Sequence, residues 1–150
     1  SIARRLENPY LEKYVSRLRT ISGNQILHRD DNPIKMVRVL RSNNSLGIIM
    51  DQNAGDWGTF VNFFGKTAST TRALSLLSYQ HGSPILPVFS FPTGKGTYRI
   101  VIGPELRLKK CGSKEETLMQ WTSACSQHLE WVIRQHPEPW MWIHRRWKSA

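Results

Sequence analysis

Segments whose apolar residues recur every three or four positions alternate along this chain with apolar runs too short to be helices. That alternation constrains the fold most, because a helical stripe and a strand face each need a partner layer to cover them. The first segment, residues 8–21, reads "NPYLEKYVSRLRTI". Asn8 is a candidate cap, Pro9 suits the first helical position, and Leu11, Tyr14, Val15, Leu18 and Ile21 share one face. A short strand is expected at "QILH", then a second helix from Asn32-Pro33 that buries Ile34, Val37 and Leu40. "LGIIM" reads as a buried strand leading into Asp51, and residues 52–66, without a clear period, read as a loop.

"STTRALSLLSYQHG" predicts a third helix, capped by Ser69 or Thr70 and stopped by Gly82. "SPILPVFSF" and "TYRIVI" flank "PTGKG" as a hairpin, and Pro87 inside the first strand suits an edge or a bulge. A long last helix is expected over residues 114–135, with Leu118, Trp121, Cys125, Leu129 and Val132 facing inward. Together these elements predict one α/β domain over residues 1–150, its sheet mixed and partly parallel and flanked by helices.

A chain of 150 residues can bury such a core without disulfides or metal, and its two cysteines, Cys111 and Cys125, match no ligand spacing. Its apolar runs fall far short of a bilayer span. The chain opens on Ser1 and "IARRLENPYL" without a signal peptide, which reads as a piece of something longer. The formal net charge of +10 calls for an anionic partner: nucleic acid, a lipid headgroup or an acidic protein.

Nucleotide and metal motifs fail on spacing. "FGKT" at 64–67 lacks the glycine a phosphate loop needs, since Phe60 stands there. "TGKGT" at 93–97 joins two strands and opens no helix. His128, His136 and His144 are eight apart, which gathers nothing on a helix. Neither a cofactor nor a metal is expected. Basic residues among aromatics suit single-stranded nucleic acid in general terms. Here the aromatics belong to the periodic core faces and the charges are scattered, so a nucleic-acid-binding module stays a rival only.

Three segments in order carry a resemblance: "RRLENPYLEKYVSRLR", then "IIMDQN" with "VNFFGKTASTT", then "HPEPWMWIHRRWK". The chain resembles the bacterial lipid A biosynthesis acyltransferases, the late lauroyl and myristoyl transferases of the lysophospholipid acyltransferase superfamily. The matching positions run from Arg4, Asn8 and Pro9 through Asp51, Gln52, Phe63, Phe64, Gly65, Ala68 and Thr71 to Pro137, Glu138, Trp140, Trp142, His144, Arg146, Trp147 and Lys148. The resemblance implies a glycerolphosphate-acyltransferase-like fold and acyl transfer from acyl carrier protein to a hydroxyl of a phosphorylated lipid A precursor. It also implies a membrane surface as partner, at the cytoplasmic face of the bacterial inner membrane.

One departure stands out. The family's base is a His followed five residues later by Asp or Glu, whose carboxylate orients the imidazole that deprotonates the acceptor hydroxyl. Here the residues five after each histidine are Pro33, Leu86, Ile133, Met141 and Ser149. The resemblance therefore implies a C-terminal portion, without catalytic residues and without the N-terminal membrane helix. For such a portion a non-catalytic module binding anionic lipid is a second rival.

By the same resemblance Arg4 aims a cation at lipid phosphates, and Asp51 and Gln52 form a polar edge at a strand end. Phe63, Phe64 and Gly65 suit the wall of an acyl slot, with a loop folded onto the core as the plain alternative. Arg72, a cation at a helix N-terminus, suits an anionic partner. In the tail, read as a strand, Trp140 and Trp142 are expected to cover the core, while Arg145, Arg146 and Lys148 contact an anionic surface.

Overall fold

A computed structural model describes residues 1–28 and 31–147. The residues gather into two compact units, Ser1–Ile49 and Met50–Ala150, where the sequence reads as one layer system.

In the first unit β1 (Ile2–Ala3) pairs in parallel with β2 (Leu27–His28), and α1 (Pro9–Thr20) lies between them in sequence. Asn8 caps α1 as expected, its side-chain oxygen accepting the N–H groups of Tyr10 and Leu11 at 3.0 and 3.2 Å. The expected buried face is not buried. Leu11, Tyr14, Leu18 and Ile21 are exposed, and the half-buried side holds Glu12, Val15 and Ser16. The Glu12 carboxylate accepts the Leu6 N–H at 2.7 Å and the Ser16 hydroxyl at 2.8 Å, and these bonds hold it below the usual carboxylate range.

Next comes α2 (Ile34–Arg41), where Val37 and Leu40 are half-buried and Ile34, expected inside, is exposed. Residues 46–50 are not a strand. The Gly47 carbonyl accepts the Ile2 N–H at 3.1 Å, but Ile49 is 65% exposed. A strand buried on both faces needs covering layers that the described residues do not supply here.

The second unit begins with a correction. Residues 52–66 are not one loop: a 3₁₀ turn at Gly55–Trp57 leads into β3 (Thr59–Phe63), antiparallel to β4 (Lys66–Thr70). The two-residue turn between them puts Phe64 and Gly65 at φ +55° and +76°, the left-handed pair that a tight hairpin demands. Val61, Phe63 and Ala68 are buried, and α4 (Lys114–Gln135) packs against β3. Ser69 and Thr70 belong to β4, so α3 (Ala73–His81) starts later than expected, and the Thr71 hydroxyl accepts the Ala73 N–H at 3.4 Å. Gly82 stops α3 at φ +64°.

The long helix α4 opens with a reciprocal cap, in which Ser113 and Glu116 each accept the other's backbone N–H. Its inner face holds Leu118, Trp121, Cys125 and Val132 as expected. It meets α3 through small polar groups, with Ser75 Oγ 2.9 Å from Thr122 Oγ1. Burial pushes the Cys125 thiol up to about 11.

The second hairpin joins β5 (Val88–Gly94) and β6 (Thr97–Ile102), with a register shift between Pro92 and Gly94. Pro87 lies just before β5 rather than inside it, where a missing N–H breaks no ladder bond. Every residue of β6 is exposed. The chain is mixed α/β with one parallel pair, and its described strands form three two-stranded pairs in place of a single sheet.

Candidate functional site

The polar residues that the sequence singles out at 51 and 52 lead into a clasp that ties three segments of the second unit together. Asn53 is its hub. Its backbone N–H donates to His144 Nε2 at 3.0 Å, and its side-chain amide donates to the carbonyls of Arg145 and Arg146, both at 3.3 Å. Its own Oδ1 accepts the Gly55 N–H at 2.6 Å, a turn that asparagine side chains make readily. With Nε2 accepting, the neutral His144 ring carries its proton on Nδ1.

The loop is sewn to the end of β4. Ala54 N–H donates to the Ser69 carbonyl at 3.2 Å, and the Ser69 hydroxyl donates to the Gly55 carbonyl. Gly58 permits this approach, because a Cβ there would overlap Ser69 Oγ and lie 2.8 Å from Ala54 Cβ.

Arg146 closes the clasp from below. Its relative exposure is 0%, and its guanidinium donates to the Ser69 carbonyl and the Thr70 hydroxyl while lying 5.2 Å from the Phe63 ring centre. Burial lowers its pKa and the nearby Asp51 charge opposes that shift. Arg146 Nε and Asp51 Oδ1 are both buried and lack hydrogen-bond partners among the described residues. Buried and bonded to the Ser69 carbonyl and the Thr70 hydroxyl, Arg146 is a structural anchor of the second unit.

This overturns the expectation that Arg146 contacts an anionic surface. The tail is not a strand but a run of turns, with Trp142 N–H bonded to the Trp140 carbonyl, His144 to Met141 and Arg146 to His144. Strand alternation therefore does not decide which side chains point outward. Trp142, expected inside, is 51% exposed, while Trp140 is half-buried. Arg145 is exposed, and Lys148 lies outside the described residues.

The hairpin tip is a second cluster. Phe63 has no exposed surface; it meets Phe64 edge-on at 4.9 Å and stacks on Trp147 at 5.8 Å. Trp140 packs on Phe63, Phe64 and Trp142, and Trp147 Nε1 donates to the Phe63 carbonyl at 3.1 Å. The tail's tryptophans thus cover the aromatics that were expected to wall an acyl slot. The Phe64 N–H donates to Glu130 Oε2 at 2.6 Å, and the Arg134 guanidinium lies 4.8 Å over the Phe64 ring. Burial alone would raise the Glu130 pKa, but the Phe64 N–H and Arg134 outweigh it and hold the carboxyl low. Gly65 is an exposed turn residue whose N–H donates to Asn62.

The remaining expected site residues make other contacts. Arg72 finds its anion within the chain, at 3.1 Å from Glu115 on the first turn of α4. Arg4, in the first unit, reaches Glu7 at 4.0 Å with both side chains largely in solvent. Gln52 is exposed beside half-buried Asp51. Sequence reasoning missed Asn53, Ser69 and Thr70 as partners of the tail. An Asn two residues before a Gly is the one local sign of the turn at Asn53. It also missed a cavity of about 320 Å³ along the segment before α4, lined by Arg107, Lys109, Lys110, Cys111 and Trp121. Among the described residues no His, Cys, Asp and Glu side chains group as metal ligands, and no helix is long and apolar enough to cross a membrane.

These two clusters are built from the residues that carried the resemblance, Asp51, Phe63, Phe64, Trp140, His144, Arg146 and Trp147. The chain matches the pattern of the bacterial lipid A biosynthesis acyltransferases over residues 1–149, and it belongs to that family. Among individual proteins it is similar to the lipid A biosynthesis lauroyltransferase of Escherichia coli (strain K12), with 28% identity over 148 residues. That alignment takes in 95% of this chain and 46% of the relative, so the chain spans a little under half of that protein's length.

Proposed function

We propose that this chain is the acceptor-holding portion of an enzyme that moves a fatty acyl chain from acyl carrier protein to a hydroxyl of a phosphorylated lipid A precursor. The observation that carries the reading is the family match across residues 1–149, with Asp51, Phe63, Phe64, Trp140, His144, Arg146 and Trp147 packed into two clusters of the second unit. In this reading the complete fold is glycerolphosphate-acyltransferase-like and works at the cytoplasmic face of the bacterial inner membrane. The clasp and the aromatic cluster hold the second unit together, and the exposed cations do the binding. Arg4 and Arg145 hold exposed guanidinium groups, which suit phosphates.

The charge of +10 and the exposed Arg107, Lys109 and Lys110 suit an acidic donor protein as well as a phosphorylated acceptor. The tail's aromatics pack on one another, which argues against their use as stacking platforms for single-stranded nucleic acid. With no carboxylate five residues after any histidine, the general base must come from elsewhere.

The test is to incubate acyl carrier protein and the lipid precursor with the chain alone, and with the chain fused to the remainder of the Escherichia coli relative. The chain alone is expected to give no turnover and the folded fusion to give it. Arg4→Ala in the fusion should lower kcat/KM for the phosphorylated acceptor by ~10-fold or more, as loss of a charge-assisted contact worth about 1.5–3 kcal/mol does. Turnover by the chain alone would show that the base has been misplaced. A folded fusion that is inactive counts against the reading as a whole.

A further inference from the structure

Helix α1 is built inside out. Its one acid, Glu12, is bonded to Ser16 and to the Leu6 backbone on the half-buried side. The apolar residues point the other way, with Tyr10 85%, Leu11 49%, Tyr14 62%, Leu18 50% and Ile21 78% exposed. At 3.6 residues per turn these five fall within an arc of about 100°. Arg17 borders that arc about 20° beyond Tyr10, with Lys13 next to it, and both are exposed, whereas Arg19 lies on the Glu12 side. The arc itself contains no carboxylate.

We propose that α1 is a membrane-contact element, which seats this arc in the headgroup–acyl boundary of an anionic bilayer with Lys13 and Arg17 on lipid phosphates. A short amphipathic helix with cations along the margin of its apolar face is the arrangement that lies in the plane of such a surface. Tyr10 and Tyr14 are ring types that favour the headgroup level. Charge selects lipid over a second copy of the chain. Face-to-face copies would bring together molecules that each carry +10, whereas an anionic leaflet complements that charge and the Lys13–Arg17 margin. The inference deepens the proposed function by naming the element that meets the surface, and it takes from that reading only that the protein works at a lipid surface.

Co-sedimentation with phosphatidylglycerol vesicles and with neutral phosphatidylcholine vesicles tests it, using the wild-type chain and three variants. Wild type should bind the anionic vesicles and release as salt rises. Leu11→Ser with Leu18→Ser should lose at least ~10-fold in binding, since two apolar contacts are removed. Lys13→Gln with Arg17→Gln should lose about as much and flatten the salt dependence. Ile100→Ser with Ile102→Ser, on the exposed β6 strand, should bind as wild type does. Circular dichroism confirms that each variant keeps its helices.

Unchanged binding by both α1 variants overturns the proposal, and so does loss confined to the β6 variant. A wild-type dimer that the Leu11→Ser/Leu18→Ser change dissociates, without vesicle binding, assigns the face to a second copy instead. Acyl transfer by the fusion alongside unaltered binding by the α1 variants removes the helix assignment alone. Vesicle loss alongside an inactive fusion removes the acyl-transfer reading alone.

Discussion

Arg146→Ala is expected to destabilise the second unit by about 3–5 kcal/mol, the range seen when one member of a buried charged arrangement is removed. Three losses combine. The Ser69 carbonyl and the Thr70 hydroxyl lose their donor, the Asp51 charge loses the cation that faces it, and the Phe63 ring loses its cover. Arg146→Lys should recover little, because a single ammonium cannot reproduce a planar fork reaching two acceptors at once. Urea unfolding followed by tryptophan fluorescence measures both, with Arg145→Ala as the companion variant. That neighbour is exposed and should stay within about 0.5 kcal/mol of wild type. If Arg146→Ala matches Arg145→Ala, the buried anchor does not exist in solution.

Phe63→Ala should rank beside it, at about 3–5 kcal/mol, since truncating a fully buried ring removes its transfer energy and leaves a cavity. The ring is the common contact of Phe64, Trp140 and Trp147, so its loss loosens the hairpin tip and the tail together. Trp142→Ala provides the contrast. Half-exposed and held by ring contacts to Trp140 and Phe64, it should cost no more than about 1.5 kcal/mol. A larger loss from Trp142 than from Phe63 would place the core on the wrong side of the hairpin.

What could be read from the sequence was what local chemistry specifies. Asn8 before Pro9 marks a helix end by its side chain and Gly82 by lacking one, and each does so in the structure. The β3–β4 hairpin escaped notice because Phe60, on its outer face, is as apolar as Val61 and Phe63 within. That hides the two-residue alternation. Its turn also puts Phe64 at a left-handed position where Asn or Gly usually signals a hairpin. The apolar stripe of α1 was read correctly as a stripe but assigned to the wrong side, since periodicity says which residues share a face and not what that face meets.

At the site, the family residues were legible as a set, and their division of labour was not. Nothing in "HRRWK" distinguishes a buried arginine from its exposed neighbour. Only the position of the Ser69 and Thr70 oxygens does so, some 77 residues away in sequence.

The packed inner face of α4 also furnishes a stopwatch. A thiol whose ionisation is pushed up to about 11, as at Cys125, holds almost no thiolate at neutral pH and is further walled off from reagents. Its alkylation must wait for α4 to lift away, while Cys111 lies only half-buried beside Gln120. The slower of two alkylation events, followed by mass, therefore counts how often the second unit opens under native conditions, with no probe introduced.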